Sequence, residues 1–196
     1  MKTLSKFAAV TMLTASCFLY SACDKNSTDE PSVPKVMETC TDQLQMSSGA
    51  AVSASSPYNV YISDLYKDGD TWVWIWQITN KKPGNGTNGT VQDLSHWGID
   101  LGKCVGLGDI VEAAYSQDKL NWTTFEPKFE EDKSQDCSDK KYVKFDFGTT
   151  GSQSSYYKLV ITKNVTHVDT EALYKSGANT GCGTFLTCGF GCPKDN

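Results

Sequence analysis

The densest apolar stretch is Thr71 to Thr79, Thr-Trp-Val-Trp-Ile-Trp-Gln-Ile-Thr. It carries no charge, Gly or Pro, and nearly every residue favours a strand. Successive strand side chains point to opposite faces, so Trp72, Trp74, Trp76 and Ile78 share one side. Thr71, Val73, Ile75, Gln77 and Thr79 share the other. Tyr58 to Leu65 also alternates, and Asp68-Gly69-Asp70 predicts a turn that pairs the two runs as a hairpin. Asn80 to Thr90, with three Gly and one Pro, reads as a loop. Leu94 to Leu101 resumes an extended pattern until Gly102. Asp109 to Tyr115 reads as a strand, with a short helix capped by Asp109 as its competitor. Tyr115 to Thr123 reads strand, turn, strand. Glu126 to Ser138 is a charged loop held by Cys137. Tyr142 to Phe147 places Val143, Phe145 and Phe147 inward and Lys144 and Asp146 outward. Gly148 to Ser155 is a turn and Tyr156 to Thr162 a strand. Asn164 to Thr170, which contains His167, reads as a polar loop. The tail from Leu173 to Cys192 is rich in Gly and Cys, with Thr184 to Thr187 as a last short strand. No window sustains a helical period. Seven or more short strands at this spacing predict an all-β, antiparallel β-sandwich or jelly-roll-like fold, stapled by disulfides.

Ahead of the strands lies an export signature. Lys2 and Lys6 precede a mostly apolar run from Phe7 to Ala22, which is short for a membrane span and has the proportions of a secretory signal. It ends in Leu19-Tyr20-Ser21-Ala22-Cys23. These five residues resemble a bacterial lipobox. The resemblance implies cleavage before Cys23, acylation of its thiol with palmitate-type chains, and anchorage to the cell envelope. The competing expectation is an ordinary cleaved signal. Asp24 to Pro34, DKNSTDEPSVP, is polar, carries two prolines and suits a tether. The expected organisation is a signal peptide over 1–22, a tether over 23–37 and a single β-sandwich domain over 38–196. Roughly 160 residues are enough for one sizeable core.

The cysteine count agrees with export. Of eight Cys, Cys17 leaves with the signal and Cys23 carries lipid. Cys40, Cys104, Cys137, Cys182, Cys188 and Cys192 remain, an even six that predicts three disulfides in an oxidising compartment. Their pairing is open at this stage. The spacing near the end has no neighbouring His and fits no common zinc pattern, so a metal is not expected.

Charge narrows the partners. All 18 basic residues are Lys. Losing Lys2 and Lys6 takes the formal charge from -5 to -7. An acidic, Arg-free chain argues against nucleic acid and against phosphate ligands read by forked contacts. Five Asn-x-Ser/Thr sequences, at Asn26, Asn85, Asn88, Asn121 and Asn164, are ascribed to a composition rich in those residues.

Candidate chemistry is sparse. The Trp row either fills the space between two sheets or lies outside as a flat platform for sugar rings. Burial of at least two of the Trp is preferred, because exposed apolar patches of that size are rare. Should a ligand-binding surface exist, its candidates are Trp72, Trp74, Trp76, Trp97, Tyr156 and Tyr157. Ser95 and His96 point apart on a strand and cannot form a nucleophile–base pair. His96 and His167 have no spacing that requires a shared metal. Asp68, Asp70 and Asn80 could bind calcium at a turn. Asp64, Asp93, Asp100, Asp109, Glu112 and Asp118 offer carboxylates, but no motif selects a pair for glycoside hydrolysis. No catalytic set and no cofactor are expected.

Two local patterns resemble known modules. Tyr115-Ser116-Gln117-Asp118-Lys119-Leu120-Asn121-Trp122-Thr123 resembles the Y-S-x-D-G-x-x-W-T hairpin of discoidin-like and other bacterial β-sandwich modules, with Lys119 and Leu120 where Gly is usual. The order W-x-W-x-W, then Asn88-Gly89-Thr90-Val91-Gln92-Asp93-Leu94-Ser95-His96-Trp97, then Cys104 and the hairpin, is similar to uncharacterised secreted or lipid-anchored proteins of Bacteroidota-type surfaces. That resemblance spans about residues 72 to 148 and carries no activity. The expected function is a lipid-anchored binding module outside the membrane, on the outer membrane or cell surface, with a glycan as ligand. The alternative is a structural or adhesin-like role with a protein partner. A carboxylate hydrolase comes third.

Overall fold

The Trp-rich stretch is β2 (Thr71–Asn80), and it pairs antiparallel with β1 (Tyr58–Asp68). Gly69 sits in the connecting turn with φ of 56°, a left-handed conformation that costs glycine little. The computed structural model describes residues 56–131 and 137–193, all within one unit, Val33–Asn196. The expected signal segment, the tether, Cys23 and Cys40 lie outside the described residues.

Eight further strands follow: β3 (Leu94–Ile99), β4 (Ile110–Ser116), β5 (Thr123–Phe125), β6 (Phe129–Glu130), β7 (Tyr142–Phe145), β8 (Ser154–Ile161), β9 (Thr166–Ser176) and β10 (Cys182–Gly191). They form two five-stranded sheets, in the orders β1-β2-β8-β4-β5 and β10-β9-β3-β7-β6. Every pairing of named strands is antiparallel. The fold is thus the expected all-β sandwich. No helix among the described residues is long and apolar enough to cross a membrane.

Asp109 does not start an α-helix. Its carboxylate accepts the Gly106 N–H at 2.9 Å and closes a 3-10 turn over Leu107–Asp109, after which β4 begins. The segment from Asn164 to Thr170 is not simply a loop either. Thr166 onward belongs to β9, which lies between β10 and β3 in the second sheet. Its Asp169, Glu171 and Lys175 hide the alternation, and the ladder on both sides supplies the order that local propensity lacks. β10 likewise runs well beyond the expected Thr184–Thr187.

Between the sheets the core is aromatic. Trp74, Trp76, Ile78, Tyr157, Leu159 and Ile161 of the first sheet are fully buried, as are Trp97, Ile99, Val143 and Phe145 of the second. The Trp76 and Trp97 rings meet at 5.5 Å, and Trp97 lies 5.1 Å from Tyr157. Phe190 of β10 packs at 4.7 Å from Trp74. Each Trp buries on the order of 200 Å² of mostly apolar surface, which makes this cluster the main source of hydrophobic stabilisation. A close backbone approach holds one end of the sandwich. A Cβ on Gly148 would stand 1.6 Å from the Leu94 carbonyl oxygen, so only glycine fits there.

Two disulfides join pairs of described residues. Cys104 joins Cys192 with Cα atoms 5.3 Å apart, and Cys137 joins Cys182 with Cα atoms 6.0 Å apart. The first ties the loop after β3 to the chain just past β10. The second fixes the charged loop before β7 to the start of β10. Cys188 is fully buried and disulfide-bonded as well. These bonds mark an oxidising compartment outside the cytoplasm.

Candidate ligand-binding surface

The Trp row faces the core, which corrects the platform alternative. Trp74, Trp76, Trp97 and Tyr157 have no exposed surface, so none of them can stack against a ligand. The reason is the second sheet: once it closes over the first, the inward side of β2 has no solvent to face. Trp72 keeps partial exposure at the strand's start but packs against the core. Tyr156, one residue before buried Tyr157, points to the opposite side and is only half-buried.

Tyr156 therefore directs attention to the outer face of the first sheet. Register places Tyr61 of β1 opposite Gln77 of β2, and Gln77 opposite Tyr156 of β8. The row is Tyr, Gln, Tyr across three strands. In the next row, Asn59, Thr79 and Ser154 stand side by side. Gln77 Nε2 donates to Ser154 Oγ at 2.8 Å, and Thr79 Oγ1 lies 3.0 Å from the same atom. Burial pushes the Tyr61 phenol upward in pKa; Tyr156 adds to the shift and Gln77 opposes it. Gln77 was visible in the sequence as the one amide on the outward side of β2. Tyr61 went unnoticed, although the alternation that buries Tyr58, Val60 and Ile62 turns it outward.

The hairpin Ser116–Trp122 rises along one side of this row. Asp118 organises it, accepting from Ser116 Oγ at 2.9 Å, from the N–H groups of Leu120 and Asn121 at 2.8 Å and from Asn121 Nδ2 at 2.7 Å. These donors, the Asn121 backbone first, hold its carboxyl well below the usual carboxylate range. Lys119 occupies the position where a Gly is usual in the resembling hairpin, and its φ is 63°. Its Nζ reaches Asp64 Oδ2 and lies 5.3 Å from the Tyr156 ring centroid. Trp122 donates to the Lys119 carbonyl at 2.9 Å, and Lys158 Nζ stands 4.4 Å from its ring centroid. The hairpin is a wall beside the Tyr61–Gln77–Tyr156 floor, fastened by two cation–π contacts and an ion pair.

The remaining candidates separate. His96 is buried while Ser95 is exposed, and Ser95 sits where the β3–β9 register slips between Leu94 and His96. His96 pairs with Lys175 near the end of β9, and His167 lies eight residues away near its start, about 26 Å along the strand. His167 packs instead at 5.1 Å from Trp74. The calcium idea fails on the same arithmetic. Asp70 precedes β2 and Asn80 ends it, about 30 Å apart. Asn80 spends its amide on the Val91 and Gln92 carbonyls. No group of three His, Cys, Asp or Glu suited to a metal occurs among the described residues.

Several carboxylates have structural partners. Asp93 accepts the Gly151 N–H, Asp100 that of Gly102, and Glu112 pairs with Lys158. The Asn80–Thr90 loop is a built structure. Asn85 Oδ1 accepts from Thr87, and its carbonyl accepts from Asn179 Nδ2 at 2.9 Å. No family model matches the chain, and neither does any curated protein or solved structure.

Proposed function

We propose that this protein is an exported, lipid-anchored module that binds a glycan on the outer face of its first sheet. The lipobox-like Cys23 and the polar stretch after it support the anchor and tether. The observation that carries the ligand class is the Tyr61–Gln77–Tyr156 row with its hydroxyl-bearing neighbours Thr79 and Ser154. Sugars present an apolar C–H face and a rim of hydroxyls. Two phenol rings flanking an amide complement both, since aromatic rings supply contact area and amides supply donor and acceptor together. The Lys119–Asp64 pair at the wall adds charge-assisted partners at the margin.

The test uses the mature protein from Cys23 onward, in detergent, on a broad polysaccharide array. Binding that falls on Tyr61→Ala, Gln77→Ala and Tyr156→Ala, with unchanged thermal unfolding, supports the reading. Absence of binding to every polysaccharide sinks it.

A protein partner is the second reading, and β10 favours it. Among the described strands β10 is an edge; its ten residues, CGTFLTCGFG, hold no charge and no Pro, and Leu186 on it is 54% exposed. Natural edges are normally blunted by such residues. Crosslinking on intact cells that returned one dominant protein neighbour through β10 would favour this reading over the glycan.

A further inference from the structure

The other flank of the Ser116–Trp122 hairpin is hollow. A cleft of about 330 Å³ lies there, with Tyr115, Phe147, Gln117 and Thr123 in its lining. A second, of about 240 Å³, is bordered by Tyr115, Phe125, Glu126 and Lys128. A third, of about 730 Å³, extends from Ile110–Ala113 to Thr124–Pro127. Tyr115 borders the first and second, and Phe125 and Glu126 border the second and third. Neighbouring clefts thus share lining residues, and the three form one contiguous depression beside β4 and β5.

We propose that this groove holds an internal stretch of a linear, uncharged polysaccharide, at a site separate from the Tyr61–Gln77–Tyr156 row. Tyr115 and Phe147 stack at 4.2 Å with planes 16° apart, and both rings are half-buried, so apolar ring surface lies at the junction of two clefts. Gln117 and Thr123 beside them are exposed, ready to meet hydroxyls. Lys144 is paired with Asp146 at 2.9 Å and Glu112 with Lys158. Lys128 then faces two carboxylates, Glu126 and Glu130, which disfavours an acidic polymer.

A peptide adding as a strand fits less well. β5 covers only Ala113–Tyr115 of β4, and Val111 is bulged out of the β4–β8 ladder between Ile110 and Glu112. A bulge at an edge interrupts the backbone row that a peptide needs. The groove offers side chains instead of a ladder, and a sugar chain is read by side chains. Three contiguous clefts give room for several sugar units, which suits a stretch of chain.

The experiment is calorimetry on the mature protein in detergent with laminarin, xylan, mannan and pullulan, each with its di- and hexasaccharide. The expected result is that the hexasaccharide of at least one binds about tenfold more tightly than the disaccharide. Thr123→Trp and Val111→Lys replace exposed residues and fill the outer clefts. They should abolish that length dependence without moving the melting temperature, while Tyr66→Ala, at an exposed position in neither the groove nor the Tyr61–Gln77–Tyr156 row, leaves it intact. If both groove variants bind every length like the parent, or if nothing in the panel binds, the groove proposal is overturned. Loss on Tyr156→Ala alone would leave the outer-row reading standing by itself.

Discussion

Lys119 Nζ lies 2.6 Å from Asp64 Oδ2, which ties the hairpin after β4 to β1, three strands away in the same sheet. The contact exists because Lys119 takes a left-handed backbone conformation, φ 63°, that turns the hairpin over the outer face. For a residue with a Cβ that conformation costs roughly 1–2 kcal/mol. Both partners keep about a third of their side-chain surface exposed, so the ion pair returns at most about 1 kcal/mol. Lys119→Gly should therefore leave stability within about 1 kcal/mol of the parent, because relieved backbone strain offsets the lost contacts. Lys119→Val adds β-branching at the same φ and should be the less stable of the two. Urea denaturation of both variants decides this, and equal loss in both would mean that the backbone carries no strain.

The two central Trp differ in one hydrogen bond. Trp76 Nε1 donates to the Cys188 carbonyl at 2.9 Å, whereas Trp97 Nε1 has no acceptor among the described residues. Replacing either ring with Phe removes volume. Trp76→Phe also removes that buried hydrogen bond, while Trp97→Phe removes a buried donor without an acceptor among the described residues. Trp76→Phe should cost about 1–2 kcal/mol more than Trp97→Phe. Chemical denaturation measures the difference directly.

Buried phenols should make the fold sensitive to alkali. Burial pushes Tyr58 up to about 12 and raises Tyr142, Tyr157 and Tyr174 as well. A raised folded-state pKa means that the unfolded chain releases these protons first. Their contribution is complete below about pH 10 and is lost as pH climbs through the folded-state values. Tyrosinate absorbance should rise in step with unfolding above pH 10, and a smooth rise well ahead of unfolding would contradict the buried placement.

Peptide mapping of the oxidised protein should recover Cys104–Cys192 and Cys137–Cys182. The described bridges span sequence separations of 88 and 45 residues. On chain-entropy grounds each stabilises by about 4 kcal/mol. Reduction should lower the melting temperature steeply, and a melt indifferent to reductant would show that the bridges constrain little.

Much of the sandwich was readable from alternation. β1, β2, β7 and β8 sit where period-two patterns predict them, because alternate residues of each enter the aromatic core. β9 escaped, since its charged outer residues and His167 look like a loop until neighbouring strands pair with it. The candidate surface was less legible. Tyr156 was identified, but its companions Tyr61 and Gln77 are 95 and 79 positions away in the chain and meet it only through register. Burial of at least two of the Trp is what the sequence favours, and the second sheet buries Trp74, Trp76, Trp97 and Tyr157 alike.

Local chemistry thus determined the strand content, the disulfide-forming character and the acidic, Arg-free surface, because each is a property of residues or of their near neighbours. Which side of β2 faces inward, which cysteines meet and which aromatics remain in reach of solvent were decided by tertiary structure alone. Those outcomes depend on pairings across tens of residues, and a period of two fixes that sides differ without saying which side a second sheet will cover.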